Sequence, residues 1–181
     1  YRSMVNDAGW AVFQEGYTGL WVADGDHLKT EEWVREALEQ GCTMITADLS
    51  DHIHSEFTTA TDDTLKKEYA KLDAGYRRRI KEDYGGLVTE IDTGEEIRFD
   101  ESEVIRCALI YSDAVRHAKS LFQAATVTGK TFSFELSIDE TGTPTSPQAH
   151  IFVARECRKI GVDFVSLAPR FIGEFQKGID Y

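Results

Sequence analysis

The sequence predicts an α/β fold, a parallel (β/α) barrel of TIM type of which this chain holds about half. Three observations predict it. Four short segments are continuous apolar runs, as strands covered on both faces read. Amphipathic helical stretches alternate with them, the pattern of a parallel sheet with crossover helices. Each run is also followed by ionisable residues, and in barrels and doubly wound sheets ligands bind at that C-terminal strand edge. A doubly wound sheet shares the alternation, but no GxGxxG or P-loop follows any run, which lowers the nucleotide-binding reading.

Taken in order, the chain opens with an apolar stretch at residues 10–13, and residues 20–23 (Leu-Trp-Val-Ala) read as the first strand. Thr30 caps a helix whose first turn carries Glu31 and Glu32 at the positive end of the dipole. Val34, Ala37 and Leu38 give its apolar face, and Gly41 stops it. Residues 42–47 read as the second strand. Residues 54–100 read as an inserted excursion of helix plus hairpin. In it Leu65, Tyr69, Leu72, Tyr76 and Ile80 recur at helical spacing, and residues 87–99 alternate around an Asp92-Thr93-Gly94 turn. Asp100 and Glu103 form an acidic variant of the capping box ahead of a long amphipathic helix ending near Ala125. Residues 132–138 are the third strand. Ser146 and Pro147 open a last helix with Ala149, Phe152, Val153, Cys157 and Ile160 on its stripe, and residues 164–167 are the fourth strand. The whole, residues 1–181, reads as a single partial barrel domain.

Composition narrows the function. Lys plus Arg number 20 against 32 Asp plus Glu, a net charge of −12, which argues against a protein that grips phosphate backbones. With 41% hydrophobic residues the chain can bury a core. Cys42, Cys107 and Cys157 are odd in number and form no CxxC pair, so neither a disulfide framework nor a zinc finger is expected, and a reducing, cytoplasmic setting fits. No apolar run approaches the roughly 20 residues of a membrane span, and no partner beyond a small molecule is expected. The chain opens at Tyr1 without an initiator Met, and we expect an internal portion of a longer polypeptide.

The polar residues after the runs carry the chemistry. Asp24, Asp26 and His27 offer carboxylate oxygen and imidazole nitrogen within four residues, a set suited to Zn²⁺, Mn²⁺, Ni²⁺ or Co²⁺, or else to capping the next helix. Asp48, Asp51 and His52 follow the second run, and Asp51-His52-Ile53-His54 is a weaker set of the same kind. Glu135 lies within the third run between Phe134 and Leu136, where a carboxylate needs a partner or a task. Asp139 and Glu140 end that strand. Arg170 follows the fourth, placed to clamp a substrate carboxylate or to pair with an acid. His117 and His150 read as packing or surface residues.

Several blocks resemble the tagaturonate epimerase family. They are Phe-Ser-Phe-Glu-Leu-Ser-Ile-Asp-Glu-Thr-Gly-Thr-Pro-Thr-Ser-Pro at 132–147 and Leu-Ala-Pro-Arg-Phe-Ile-Gly-Glu-Phe-Gln-Lys-Gly-Ile-Asp-Tyr at 167–181. With them come Val-Phe-Gln-Glu-Gly-Tyr at 12–17, Ala-Asp-Gly-Asp-His at 23–27 and Ser-Asp-His at 50–52. Residues 55–98 match poorly. The resemblance implies a (β/α)₈-barrel enzyme that uses a divalent metal to interconvert D-tagaturonate and D-fructuronate, related members acting on the corresponding ketohexoses. It implies Asp26 as proton acceptor, Glu135 as proton donor and His27 as a metal ligand, with the remaining ligands beyond Tyr181. Asp24, Asp139 and Arg170 are then expected to bind the sugar acid. A metal-dependent aldolase or hydrolase, or a non-catalytic sugar-binding module, are the alternatives.

Overall fold

In a computed structural model, which describes residues 1–173, the order is α1 (Arg2–Gln14), β1 (Asp24–Leu28), α2 (Glu31–Glu39), β2 (Met44–Asp48), α3 (Asp62–Tyr69), α4 (Ala74–Tyr84), β3 (Val88–Glu90), β4 (Glu96–Arg98), α5 (Glu101–Thr126), β5 (Ser133–Ile138), α6 (Pro147–Lys159) and β6 (Ser166–Pro169). Two 3₁₀ turns, Ser50–His52 and Ser55–Phe57, follow β2. Four strands form one parallel sheet in the order β1-β2-β5-β6, and β3 pairs with β4 as a separate antiparallel hairpin.

The barrel expectation is corrected by this topology. Among the described residues the sheet is open, with β1 and β6 as its two edges. Alternating apolar strands and helices are shared by open and closed parallel sheets, so periodicity never distinguished them. The family block at 167–181 lies partly outside the described residues, from 174 onward.

One face of the sheet is apolar. Leu28, Ile45, Ala47, Phe134, Leu136 and Ile138 are buried in a single core with residues of α2, α5 and α6. The long α5 lies between the other two helices and contacts both. At the first strand, Gly25 makes this packing possible: a Cβ there would lie 3.1 Å from Ala37 Cβ and 3.0 Å from Leu28 Cδ1. The opposite face alternates by the period of two and is polar: Thr46, Glu135 and Ser166 stand in register across it, and Asp24, in register with Met44, reaches Thr46 by a hydrogen bond.

Local signals fixed most helices. Thr30, Asp100 and Ser146 each accept a backbone N–H of the first turn, from Trp33, Glu103 and Ala149. The helically spaced run at 62–83 is two helices, because Asp73 caps a fresh start through Tyr76 N–H. The first strand lies later than expected. Residues 20–22 are exposed, Leu20 at 99%, and the strand begins at Asp24, since its outward face is carboxylate rather than apolar. Helix α1, which the apolar stretch at 10–13 did not predict, has no buried residue and touches α2 through Arg2 N–H to Gln40 Oε1 at 3.0 Å.

The segment between β2 and α5 is tied down at several points. Arg106 donates to the carbonyls of Phe57 and Thr58 at 2.6 and 2.7 Å, and Leu65 packs on Ile105 and Leu109. Farther along, Arg79 of α4 reaches Glu156 of α6.

Candidate active site

The polar face gathers its side chains in two tiers. The lower tier is a row with one residue from each strand. Thr46 Oγ1 donates to Asp24 Oδ2 at 2.8 Å and lies 3.4 Å from Glu135 Oε1, while Ser166 Oγ donates to Glu135 Oε2. Burial raises the Asp24 pKa above the usual carboxylate range; the Thr46 bond opposes this, and Asp26 and Glu135 push it further up.

The upper tier sits at the C-terminal strand ends and owes its form to a bulge in β1. Gly25 pairs with Ile45 and Leu28 with Ala47, so Asp26 and His27 together stand opposite Thr46. His27 takes up the extra residue with φ 53°, in the left-handed region. Its ring is thereby turned over Asp48: Nδ1 lies 3.3 Å from Asp48 Oδ2 and 3.9 Å from Glu140 Oε1, and Nε2 lies 3.7 Å from Asp26 Oδ1.

Asp48 is buried, accepts the Ser50 N–H at 2.9 Å and faces Lys29 Nζ at 3.5 Å. Burial alone would raise its pKa, but the Ser50 bonds, Lys29 and His27 outweigh it and the carboxyl is held below its ordinary value. Lys29 is bound in turn to Asp51 at 2.9 Å, and that contact holds it above its usual value.

Ligand atoms of His27, Asp48 and Glu140 all lie within 4.8 Å of one another. One imidazole nitrogen and two carboxylate oxygens are a donor set that suits a divalent transition metal.

Of the expected site residues, Asp24, Asp26, His27 and Glu135 thus meet on this face. Asp26 is exposed at the strand edge. Asp139 accepts from Ser137 Oγ at the end of β5. Arg170 is fixed by its backbone, its N–H donating to Thr145 Oγ1 and its carbonyl accepting from Thr145 N–H, both at 2.9 Å. The weaker histidine set is divided elsewhere: His52 stacks on His117 with ring centroids 3.9 Å apart, and His54 bonds Asp113 at 2.7 Å.

A model of the tagaturonate epimerase family matches residues 1–181. This chain belongs to the tagaturonate epimerase family. The tagaturonate/fructuronate epimerase of Thermotoga maritima is 43% identical over 182 residues, covering 100% of this chain and 37% of that protein. The chain therefore spans little more than a third of that relative's length. A glycerol-bound crystal structure of the fructuronate-tagaturonate epimerase of Cohnella laeviribosi superposes with a TM-score of 0.88 at 43% identity, over 96% of this chain and 36% of that one. Its native form superposes equally well at 42% identity.

Within this tagaturonate epimerase family chain, sequence reasoning did not group Asp48 and Glu140 with His27. Both follow strand runs, so a signal was there: each stands among the ionisable residues at a strand end. What the sequence does not display is the bulge that swings His27 toward them.

Proposed function

We propose that the full-length protein to which this chain corresponds is a metal-dependent sugar-acid epimerase that interconverts D-tagaturonate and D-fructuronate at C4. The observation that carries this reading is the convergence of Asp26, His27 and Glu135 on one polar sheet face in a chain 43% identical to a named epimerase of these acids. His27, with Asp48 and Glu140, would hold a divalent cation such as Zn²⁺, Mn²⁺, Ni²⁺ or Co²⁺. When bound, that cation supplies Lewis acidity toward the C2 carbonyl.

The two sugars differ at C4, two carbons from the ketone, so direct enolisation does not loosen the C4 proton. In this reading Asp26, exposed at the edge, takes the proton of the C4 hydroxyl. The C3–C4 bond then breaks, its electrons passing to C3 and C4 becoming an aldehyde carbon. After the aldehyde turns, C3 adds to its other face and Glu135 returns a proton to the C4 oxygen. Asp139 and Arg170, at the rim, are assigned to the substrate's polar groups, Arg170 to the carboxylate.

The test uses full-length enzyme with D-tagaturonate, before and after chelation, with fructuronate read by NMR. Metal-dependent fructuronate is expected, with Glu135→Gln and Asp26→Asn each slower by about 10²–10⁴-fold. Absence of product from folded, metal-loaded enzyme would overturn the assignment.

A further inference from the structure

The row Asp24–Thr46–Glu135–Ser166 contains one more acceptor than its protons can serve when both carboxyls are ionised. The Thr46 hydroxyl owns a single proton yet lies 2.8 Å from Asp24 Oδ2 and 3.4 Å from Glu135 Oε1. Between two carboxylates it donates to one and turns its lone pairs on the other. With one carboxyl protonated, that carboxyl donates to Thr46, Thr46 donates onward, and each contact joins a donor to an acceptor.

The environment distinguishes the two ends. Asp24 Oδ1 is shut off from solvent and makes no hydrogen bond among the described residues. Both Glu135 oxygens, by contrast, face hydroxyls, from Thr46 and Ser166. An ionised Asp24 would leave that desolvated oxygen carrying a share of the negative charge, whereas with the proton on Oδ2 it is a neutral carbonyl oxygen, which costs less to bury. The groups that bear on it are Asp26 of its own strand, Cys42 just before β2 and Glu135 of β5, none of them a cation. Burial and the two acids favour the neutral form.

We infer that Asp24 is a positioning residue that acts through Glu135, holding a proton that the Thr46 hydroxyl relays to it. In the relay the Asp24 O–H bond breaks as its proton passes to Thr46 Oγ1. The original Thr46 O–H bond breaks as that proton passes to Glu135 Oε1. Asp24 ends as carboxylate and Glu135 as acid, with nothing oxidised or reduced. The inference rests on the reading of Glu135 as the proton donor: for each protonation of substrate the row charges Glu135 with the Asp24 proton, and Asp24 regains a proton from water between turnovers.

The experiment uses full-length enzyme and two readouts. Infrared difference spectra without substrate, at neutral pH, are expected to show a protonated-carboxyl band that Asp24→Asn abolishes. In turnover, Thr46→Val is expected to lower kcat about tenfold with KM unchanged, to be rescued by small buffer acids, and to be restored by Thr46→Ser. A spectrum in which Asp24→Asn removes no such band overturns the inference, as does Thr46→Val turnover equal to wild type or insensitive to buffer acid. Because the infrared band is read without substrate, it separates failure of the relay from failure of the epimerase assignment.

Discussion

At His27 the backbone occupies φ 53°, a conformation that side chains with a branched Cβ resist and that Asn accepts readily. His27→Val and His27→Asn both remove the imidazole, so the difference between them reports the backbone together with any hydrogen bond Asn donates to Asp48. We expect His27→Val to be less stable than His27→Asn by about 1–2 kcal/mol, measured by urea denaturation of the full-length protein. The chemistry of this residue was legible in Asp24-Gly25-Asp26-His27, where carboxylate and imidazole stand together. Its direction was not, because the ring turns toward Asp48 only through a bulge defined by pairing with β2, and pairing is a property of two strands. Asp24 was equally half legible. Its residue type was plain, but its membership of a hydroxyl-linked row depends on Thr46, a residue with no functional signature of its own.

Between elements, the contact that ties α4 to α6 is ionic, with its Glu156 carboxylate buried and its Arg79 side partly exposed. Glu156 receives both guanidinium nitrogens of Arg79 at 3.0 and 2.7 Å and the Tyr84 hydroxyl at 2.9 Å. Burial alone would raise the Glu156 pKa, yet these donors and Lys159 prevail and it lies below its ordinary value. A carboxyl depressed in the folded state adds stability above its unfolded pKa and loses that contribution as the pH falls through the folded value. Glu156→Gln is therefore expected to destabilise the protein by about 1–3 kcal/mol at neutral pH. The gap to wild type should close below about pH 4, as followed by urea titrations at both pH values. Helices α2, α5 and α6 were readable because cap, stripe and stop agree within one stretch of chain. Strand β1 was displaced because an apolar run was taken for the strand, whereas an edge strand with a carboxylate face announces itself only by alternation.

For the molecule as a whole, apolar surface and charge pull in opposite directions. Phe13 at 76% and Leu20 at 99% exposure join Trp10, Trp21 and Val22 as uncovered apolar residues around α1 and the loop after it, and among the described residues β1 and β6 are open sheet edges. A net charge of −12 holds copies apart. The 181-residue chain by itself is expected to self-associate, and more so as salt screens the repulsion, with light scattering across salt concentrations as the check. A mass that stays monomeric at every salt concentration would contradict this. Open and closed sheets remained indistinguishable in the sequence at this scale, since the alternation of strand and helix is local while closure concerns the two outer strands. The central pairing of β2 with β5 has a consequence in time. Everything from the 3₁₀ turns through α5 must close up before Asp48 can stand beside Ser137, so the loop-closure entropy falls on the middle of the sheet rather than its rim. Set 89 positions apart in the chain, Thr46 and Glu135 carry a larger closure cost than the neighbouring strand pairs, and the proton row exists only once that closure has been made.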